Sequence, residues 1–416
     1  MAEEHYSRAK NSTMQSQSAF EPKEFVENQI QQIRNQLGKE RALVAVSGGV
    51  DSSACAALVY QAIVNNLLCV ILDDAFMREG EPEKVANLLS QPPLNLPIKI
   101  LNVKKRFLTE MKGLRDAEEK RKVFRETFYN ILSETAKGEG IRYLVQGTIL
   151  ADIMETAGGV KTQHNVLSQI GISTEERYGF QLVEPLKTLF KGQVRKVARY
   201  LGLPREIAER QPFPGPGLSV RVVGEIRRDK LESLKKATAI AEEKLAKHEP
   251  SQYFAVILDN VEKPHGAQEL QIELLTTDFL KVSPSQVSVT IFEDKATGVR
   301  EGKRIYGKIS ALKVLTNKGD IHQPDIQSLI DLQTRIVTEN PVMTRVFYVI
   351  REKSPRQPYV VAVRAVKTED FLTAKVADIP WTTLNEIAEE ILTTCGNVSA
   401  VYYDVTPKPT ATIEME

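Results

Sequence analysis

A chain of 416 residues, 42% of them apolar, can build a sizeable core in each of two or more domains, and 55 Lys and Arg against 54 Asp and Glu leave a net charge of +1. That balance excludes a sequence-independent pull toward nucleic acid or an anionic membrane, so any phosphate site must be built locally. Cys55, Cys69 and Cys395 sit in apolar or helix-like segments without CxxC spacing, no apolar run approaches the ~18 residues of a membrane span, and the polar amino terminus lacks a signal pattern; buried thiols in a soluble cytoplasmic protein are expected.

Residues 1–20 are polar, rich in Ser and Gln and without period, and read as a mobile tail. The spacing of Phe25, Ile30, Ile33 and Leu37 before Gly38 predicts a helix with a glycine stop. Strands are predicted at 43–46, 68–72, 98–103, 143–145 and 181–183, alternating with helices at 52–64, 118–137 and 191–201. That alternation is the pattern of a parallel sheet covered on both faces, a doubly wound α/β fold. PFPGPGL at 212–218 can continue neither helix nor ladder and marks a domain boundary. A charged helix follows at 225–248, and then a region that resembles itself. YGKISALKVL (306–315) and the segment 328–350 recur as PYVVAVRAVK (358–367) and 383–405, so a duplicated α+β arrangement is expected, chance similarity of two strand–helix–strand units being the alternative.

VAVSGGVDSS (44–53) follows the first strand and opens a helix, which places backbone N–H groups at the positive end of a helix dipole, where phosphate is stabilised. Gly48 and Gly49 let the main chain approach phosphate oxygens, and the hydroxyls of Ser47, Ser52 and Ser53 can donate further hydrogen bonds. Ser47, Gly48, Gly49, Val50, Asp51, Ser52 and Ser53 are therefore the candidate pyrophosphate cradle. Neither a Walker GK(S/T) nor GxGxxG is present, which disfavours γ-phosphate transfer and dinucleotide binding. Asp51 beside a phosphate would be repelled unless a cation lay between them, so it is the candidate magnesium ligand. The alternative is a helix capped by Ser47 or Asp51, with the glycines merely turning the chain.

SGGVDSS resembles the signature of the N-type ATP pyrophosphatases, and QGTILADIMET (146–156), KTQHNV (161–166), PFPGPGLSVRV (212–222) and KPTATIEME (408–416) resemble the guanosine monophosphate synthetases of that superfamily. The resemblance covers 21–260 and 295–416. It implies an adenine nucleotide alpha hydrolase-like domain at 21–223, a dimerisation-like domain with an insertion at 224–350, and a C-terminal dimerisation domain with a substrate-binding tail at 351–416. The implied chemistry is adenylylation of xanthosine monophosphate by ATP with magnesium, release of pyrophosphate, and displacement of AMP by ammonia. The implied catalytic residues are Asp51, Lys161 on a lid, and Asp152 with Glu155, which fall three apart on one helical face; an exposed acidic helix start is the alternative for that pair. Arg78, Arg304, Lys408, Thr412, Ile413 and Glu414 match the residues that grip the nucleotide. The tail matches as a substrate contact, so truncation after Pro407 is expected to weaken xanthylate binding with little change in melting temperature.

The sequence carries no glutamine amidotransferase domain, which implies free ammonia or a separate amidotransferase subunit, and a homodimer without membrane or nucleic-acid partners is expected. Gln163 replaces a lid donor beside His164, FKGQV (190–194) lacks the usual acidic pair after its lysine, and Ala75 and Ala151 stand where glycine and proline are typical. These departures spare the cradle but touch the second substrate. Another acceptor, such as a tRNA base or a carboxylate, or a non-catalytic nucleotide-binding relative, stays open.

Overall fold

In the computed structural model, which describes residues 20–157, 174–368 and 373–416, the predicted alternation of strand and helix is realised with ends shifted by one or two residues. Strands β1 (Ala42–Ala45), β2 (Leu67–Asp73), β3 (Ile98–Asn102), β4 (Tyr143–Val145) and β5 (Gln181–Val183) pair in parallel in the order β3-β2-β1-β4-β5. The runs ALVA and LLCVILD are almost wholly buried, as strands covered on both faces require. Helices α1 (Pro22–Leu37), α2 (Val50–Ile63) and α5 (Lys191–Tyr200) pack on one another, and α3 (Glu81–Ser90) packs on β2 and β3; α4 (Leu150–Ala157) follows β4. α2 is rich in small buried residues, Ser53, Ala54, Cys55, Ala56 and Ala57, which let neighbours approach its axis closely. This is the doubly wound α/β fold read from the sequence.

Strand order reverses between β1 and β4. In open α/β sheets the crevice at the carboxyl ends of such a pair is where ligands bind. The chain thereby delivers residues 46–53 and 146–149 to one place.

The chain forms two compact units. The first holds the described residues up to Ala75 with Gly80–Phe107 and Arg125–Gly215; the second holds Phe76–Glu79, Leu108–Phe124 and Pro216–Glu416. Within the second, the segment starting at Pro216 is fastened to Phe76: Leu218 N donates to Phe76 O at 2.8 Å, and Gly217, at φ +60, lies where a Cβ would fall 2.4 Å from the same oxygen. Only glycine fits there.

The second unit is built on a mixed sheet whose strands β6 (Gln252–Asp259), β7 (Val287–Arg300), β8 (Lys303–Val314), β9 (Met343–Glu352), β10 (Tyr359–Lys367) and β12 (Val398–Asp404) lie in the order β6-β10-β12-β9-β8-β7, with the short β11 (Lys375–Val376) at the end of β10. The pairings read antiparallel, parallel, antiparallel, parallel, antiparallel across that order, so the pattern repeats about the central β12·β9 pair. Helices α6 (Arg228–Ala246), α7 (Ala267–Leu280), α8 (Ile326–Glu339) and α9 (Trp381–Thr394) pack on β6, β7, β9 and β12 respectively. Each self-resembling segment thus has the same helix, strand, strand, helix, strand content, with one copy inserted between β6 and β10 of the other. That is the duplicated α+β region expected from the sequence. The three cysteines are buried and unbridged, and no described helix is long and apolar enough to cross a membrane.

The carboxy-terminal residues are part of this unit's interior. Ile413 and Met415 join Phe254, Val256, Leu258 and Phe347 in one core cluster. Three buried arginines hold the main chain and side chains around them. Arg364 donates from Nε to Ile413 O at 2.9 Å and from Nη2 to Thr412 O at 3.0 Å, Arg345 donates to Glu414 O at 2.6 Å, and Arg221 grips the Glu414 carboxylate at 2.8 and 2.9 Å. The expectation that truncation after Pro407 leaves the melting temperature alone is therefore corrected: a tail that fills a core cannot be removed without loss of stability.

Candidate active site

The loop between β1 and α2 is held in shape by its own hydroxyls. Ser47 N donates to Ser52 Oγ at 3.1 Å, the two seryl oxygens lie 3.0 Å apart, and Ser52 Oγ donates back to Gly49 O at 3.2 Å. Gly48 adopts φ +77, and a Cβ there would fall 2.6 Å from Val85 Cγ2. Gly147, after β4, brings that strand's end so close that a Cβ would lie 3.0 Å from the main chain of Asp51 and Ser52. Gly49 is the N-cap of α2 and no side chain caps it. Among the described residues the first-turn N–H groups of α2 thus have no side-chain acceptor, which overturns the capped-helix alternative and leaves donors at the carboxyl end of β1.

Asp51 stands in the first turn of α2. Its Oδ2 accepts a hydrogen bond from Lys191 Nζ at 2.5 Å, while its Oδ1 is buried without a hydrogen-bond partner among the described residues. An orphaned buried carboxylate oxygen beside uncapped donors suits a divalent cation that would share its coordination with phosphate oxygens. Glu184, at the end of β5, accepts from Thr148 Oγ1 at 2.7 Å. Burial first, then the charges of Asp51 and Glu184, push the Cys55 thiol well above its ordinary range, so it stays protonated. Among the described residues no cluster of three or more His, Cys, Asp or Glu could cage a metal by itself. Magnesium commonly binds through one or two carboxylates plus substrate phosphates, so the donor set here fits that mode and not an all-protein cage.

The other catalytic expectations fall differently. The buried Asp152 accepts from Ile149 N at 2.9 Å and so fastens the start of α4. Lys161, Gln163 and His164, and the side chain of Glu155, lie outside the described residues. Lys191 was missed by sequence reasoning, because FKGQV drew notice only for the acids it lacks. Arg210, which approaches Gly48 O at 3.4 Å and pairs with Glu81, was also missed.

Every expected nucleotide-gripping residue belongs to the second unit, and each already has protein partners. Arg78 forms a two-pronged ion pair with Glu242, both contacts at 2.6 Å. Arg304 donates to Glu118 at 2.9 Å, with Tyr306 and Arg121 on the same carboxylate. Lys408 exchanges main-chain hydrogen bonds with Ala374, and Thr412 is bonded to Thr297 and Arg345. Thr412, Ile413 and Glu414 come together around Arg221, Arg345 and Arg364. An arginine inside each of the apolar runs TRVFYVI and VVAVRAVK was the available signal for the last two. Glu416 is held by Lys120 and by Gly224 N, and burial pushes its carboxyl up to about 7 against the pull of Lys120.

The family model for the PP-loop domain matches residues 22–204, and that for the GMP synthase C terminal domain matches 356–415. A protein of Sulfurisphaera tokodaii named as a subunit of glutamine-hydrolyzing GMP synthase is 42% identical over 96% of this chain and its own whole length. Proteins of the same name from Saccharolobus solfataricus and Methanopyrus kandleri are 44% and 36% identical, each over 95% of this chain and all of their own. Among solved structures, NMN synthetase from Francisella tularensis covers 48% of this chain and 79% of its own at 18% identity and a TM-score of 0.37, too loose an overlap to argue from. With full-length relatives at this identity, and a PP-loop at the switch point of a doubly wound sheet, the chain belongs to the family of these GMP synthase subunits.

Proposed function

We propose that this chain is the synthase subunit that adenylylates xanthosine monophosphate with ATP and aminates it with ammonia, giving GMP, AMP and pyrophosphate. The C2 carbonyl oxygen of the xanthine attacks the α-phosphorus, the bond from that phosphorus to the pyrophosphate breaks, and pyrophosphate leaves. Ammonia then adds at C2 and AMP departs with the former carbonyl oxygen, while the nitrogen sheds the protons it no longer needs. Negative charge builds on phosphate oxygens in the first step, so the chain's contribution is mainly position and electrostatics. Ser47 to Ser53 supply main-chain and hydroxyl donors to the phosphates. Asp51 holds magnesium, which when bound neutralises phosphate charge.

The observation that carries this reading is the start of α2 after SGG, uncapped among the described residues, with a buried oxygen of Asp51 beside it that has no partner among them either. In the same reading Lys161 and the acids Asp152 and Glu155 serve the transfer steps, and Arg78, Arg304, Lys408, Thr412, Ile413 and Glu414 serve the xanthylate nucleotide. In this reading the first unit serves ATP, and the second, whose one sheet runs through both 224–350 and 351–416, serves the xanthylate nucleotide. A separate glutamine amidotransferase subunit supplies ammonia, as the name of the relatives implies, and the protein works in the cytoplasm as a homodimer; sedimentation of the purified chain tests the last point. The activity itself is tested by incubating the chain with ATP, magnesium, ammonium and xanthosine monophosphate. AMP and GMP should appear together, and AMP only with a different acceptor would refute the substrate.

A further inference from the structure

Among the described residues Asp51 is a carboxylate served at Oδ2, by Lys191, with Oδ1 buried and without a partner there. Lys191 is the first residue of α5, a helix with no acid in its first turn. An ammonium at that end is disfavoured by the helix dipole, and the Asp51 carboxylate offsets that. The start of α5 is itself fixed: Phe190 N donates to Gln193 Oε1 at 2.9 Å, and Leu150 N donates to Leu189 O at 2.9 Å, tying the turn before α5 to the segment after β4. The side chains of Lys191 and Asp51 are 36% and 26% exposed, so the pair adds little to stability.

We propose that Lys191 is a phosphate-binding residue of this reaction, standing on Asp51 until nucleotide arrives and then moving onto the phosphate chain, where it neutralises the leaving pyrophosphate. A doubly charged cation competes with a single ammonium for the same carboxylate and leaves the ammonium beside newly arrived anions. Lys191 is thus a charge that the site exchanges, rather than a prop for Asp51. The inference rests on the Ser47 to Ser53 loop being the ATP site.

The test uses the full chain as wild type, Lys191→Met, Lys191→Arg and Asp51→Asn. Manganese alone is titrated by electron paramagnetic resonance without nucleotide, and magnesium pyrophosphate by calorimetry. Lys191→Met should bind manganese alone about threefold or more tighter, because Asp51 has lost its competitor, and magnesium pyrophosphate about tenfold or more weaker. Lys191→Arg should bind pyrophosphate between the two, and the Michaelis constant for xanthosine monophosphate should stay within about twofold in both variants. Unchanged binding of both probes in Lys191→Met, or loss of both together, would overturn the proposal. Manganese binding that is the same in Asp51→Asn as in wild type would remove the loop reading, and the proposal with it. Weaker manganese binding in Asp51→Asn beside an unaltered Lys191→Met would remove the proposal alone.

Discussion

Replacing Asp404 by Asn should cost the second unit much of its stability and, with it, the xanthylate site. Asp404 Oδ2 accepts from Arg345 Nη1 at 2.9 Å and from Arg364 Nη1 at 2.7 Å, and Oδ1 accepts from Thr406 N at 3.0 Å. All three charged side chains are fully buried. Burial, followed by the charge of Arg364, already pulls the Arg345 guanidinium below its usual range, so the carboxylate is what keeps two buried cations tolerable. An isosteric amide removes the anion and leaves both guanidiniums facing each other. Breaking a buried pair in this way costs about 3–5 kcal/mol. At roughly 2–4 °C per kcal/mol for a unit of this size, the melting temperature should fall by about 6–20 °C in calorimetry. Because the same two arginines hold the main chain of Thr412 to Glu414, residual folded enzyme should show a raised Michaelis constant for xanthosine monophosphate, with ATP affinity within about threefold. A melting temperature within about 2 °C of wild type would refute the account of the buried cluster.

Asp51→Asn should abolish AMP formation without moving the melting temperature, and retention of more than about a tenth of the activity would mean that the cation is held elsewhere. Gly217→Ala sets a methyl against Phe76 O and should destabilise by about 1–3 kcal/mol in denaturant titration, an unchanged midpoint counting against the close approach. Truncation after Pro407 should lower the melting temperature as well as xanthylate binding, and a truncated chain that melts like wild type would contradict the packed tail. Glu416 carries a carboxyl raised by burial from 4.5 to about 7, so its stabilising contribution is complete below the lower value and is lost as pH rises to the upper one. Thermal melts at pH 5 and 7.5 should therefore show wild type losing ground relative to Glu416→Gln, and parallel changes would be inconsistent with that shift.

How much of this was legible in the sequence follows from where the determining interactions lie. The apolar runs of β1 and β2 and the SGGVDSS loop between them are contiguous, so pattern and turn chemistry alone placed the sheet and the loop that opens α2. α3 was not predicted, because it starts after Gly80 without a side-chain cap and spans only Glu81–Ser90. Assignment of Phe76–Glu79 and Leu108–Phe124 to the second unit depends on tertiary contact, as does Lys191 meeting Asp51 from 140 residues away. The tail was legible as unusual, since small and apolar residues alternate in KPTATIE, but its three arginine anchors lie far back along the chain, the farthest 193 residues from Glu414. Sequence spacing carries information about one helix face or one turn; it carries none about which distant charge completes a site.

The central claim is that ATP activates an oxygen of the xanthine ring, and oxygen-18 placed at C2 of xanthosine monophosphate tests it most directly. Incubated with the chain, ATP, magnesium and ammonium, the labelled nucleotide should yield GMP without the label and AMP carrying one labelled phosphate oxygen, read by mass spectrometry. GMP formed with the label in water or inorganic phosphate, or AMP formed without it, would contradict the account.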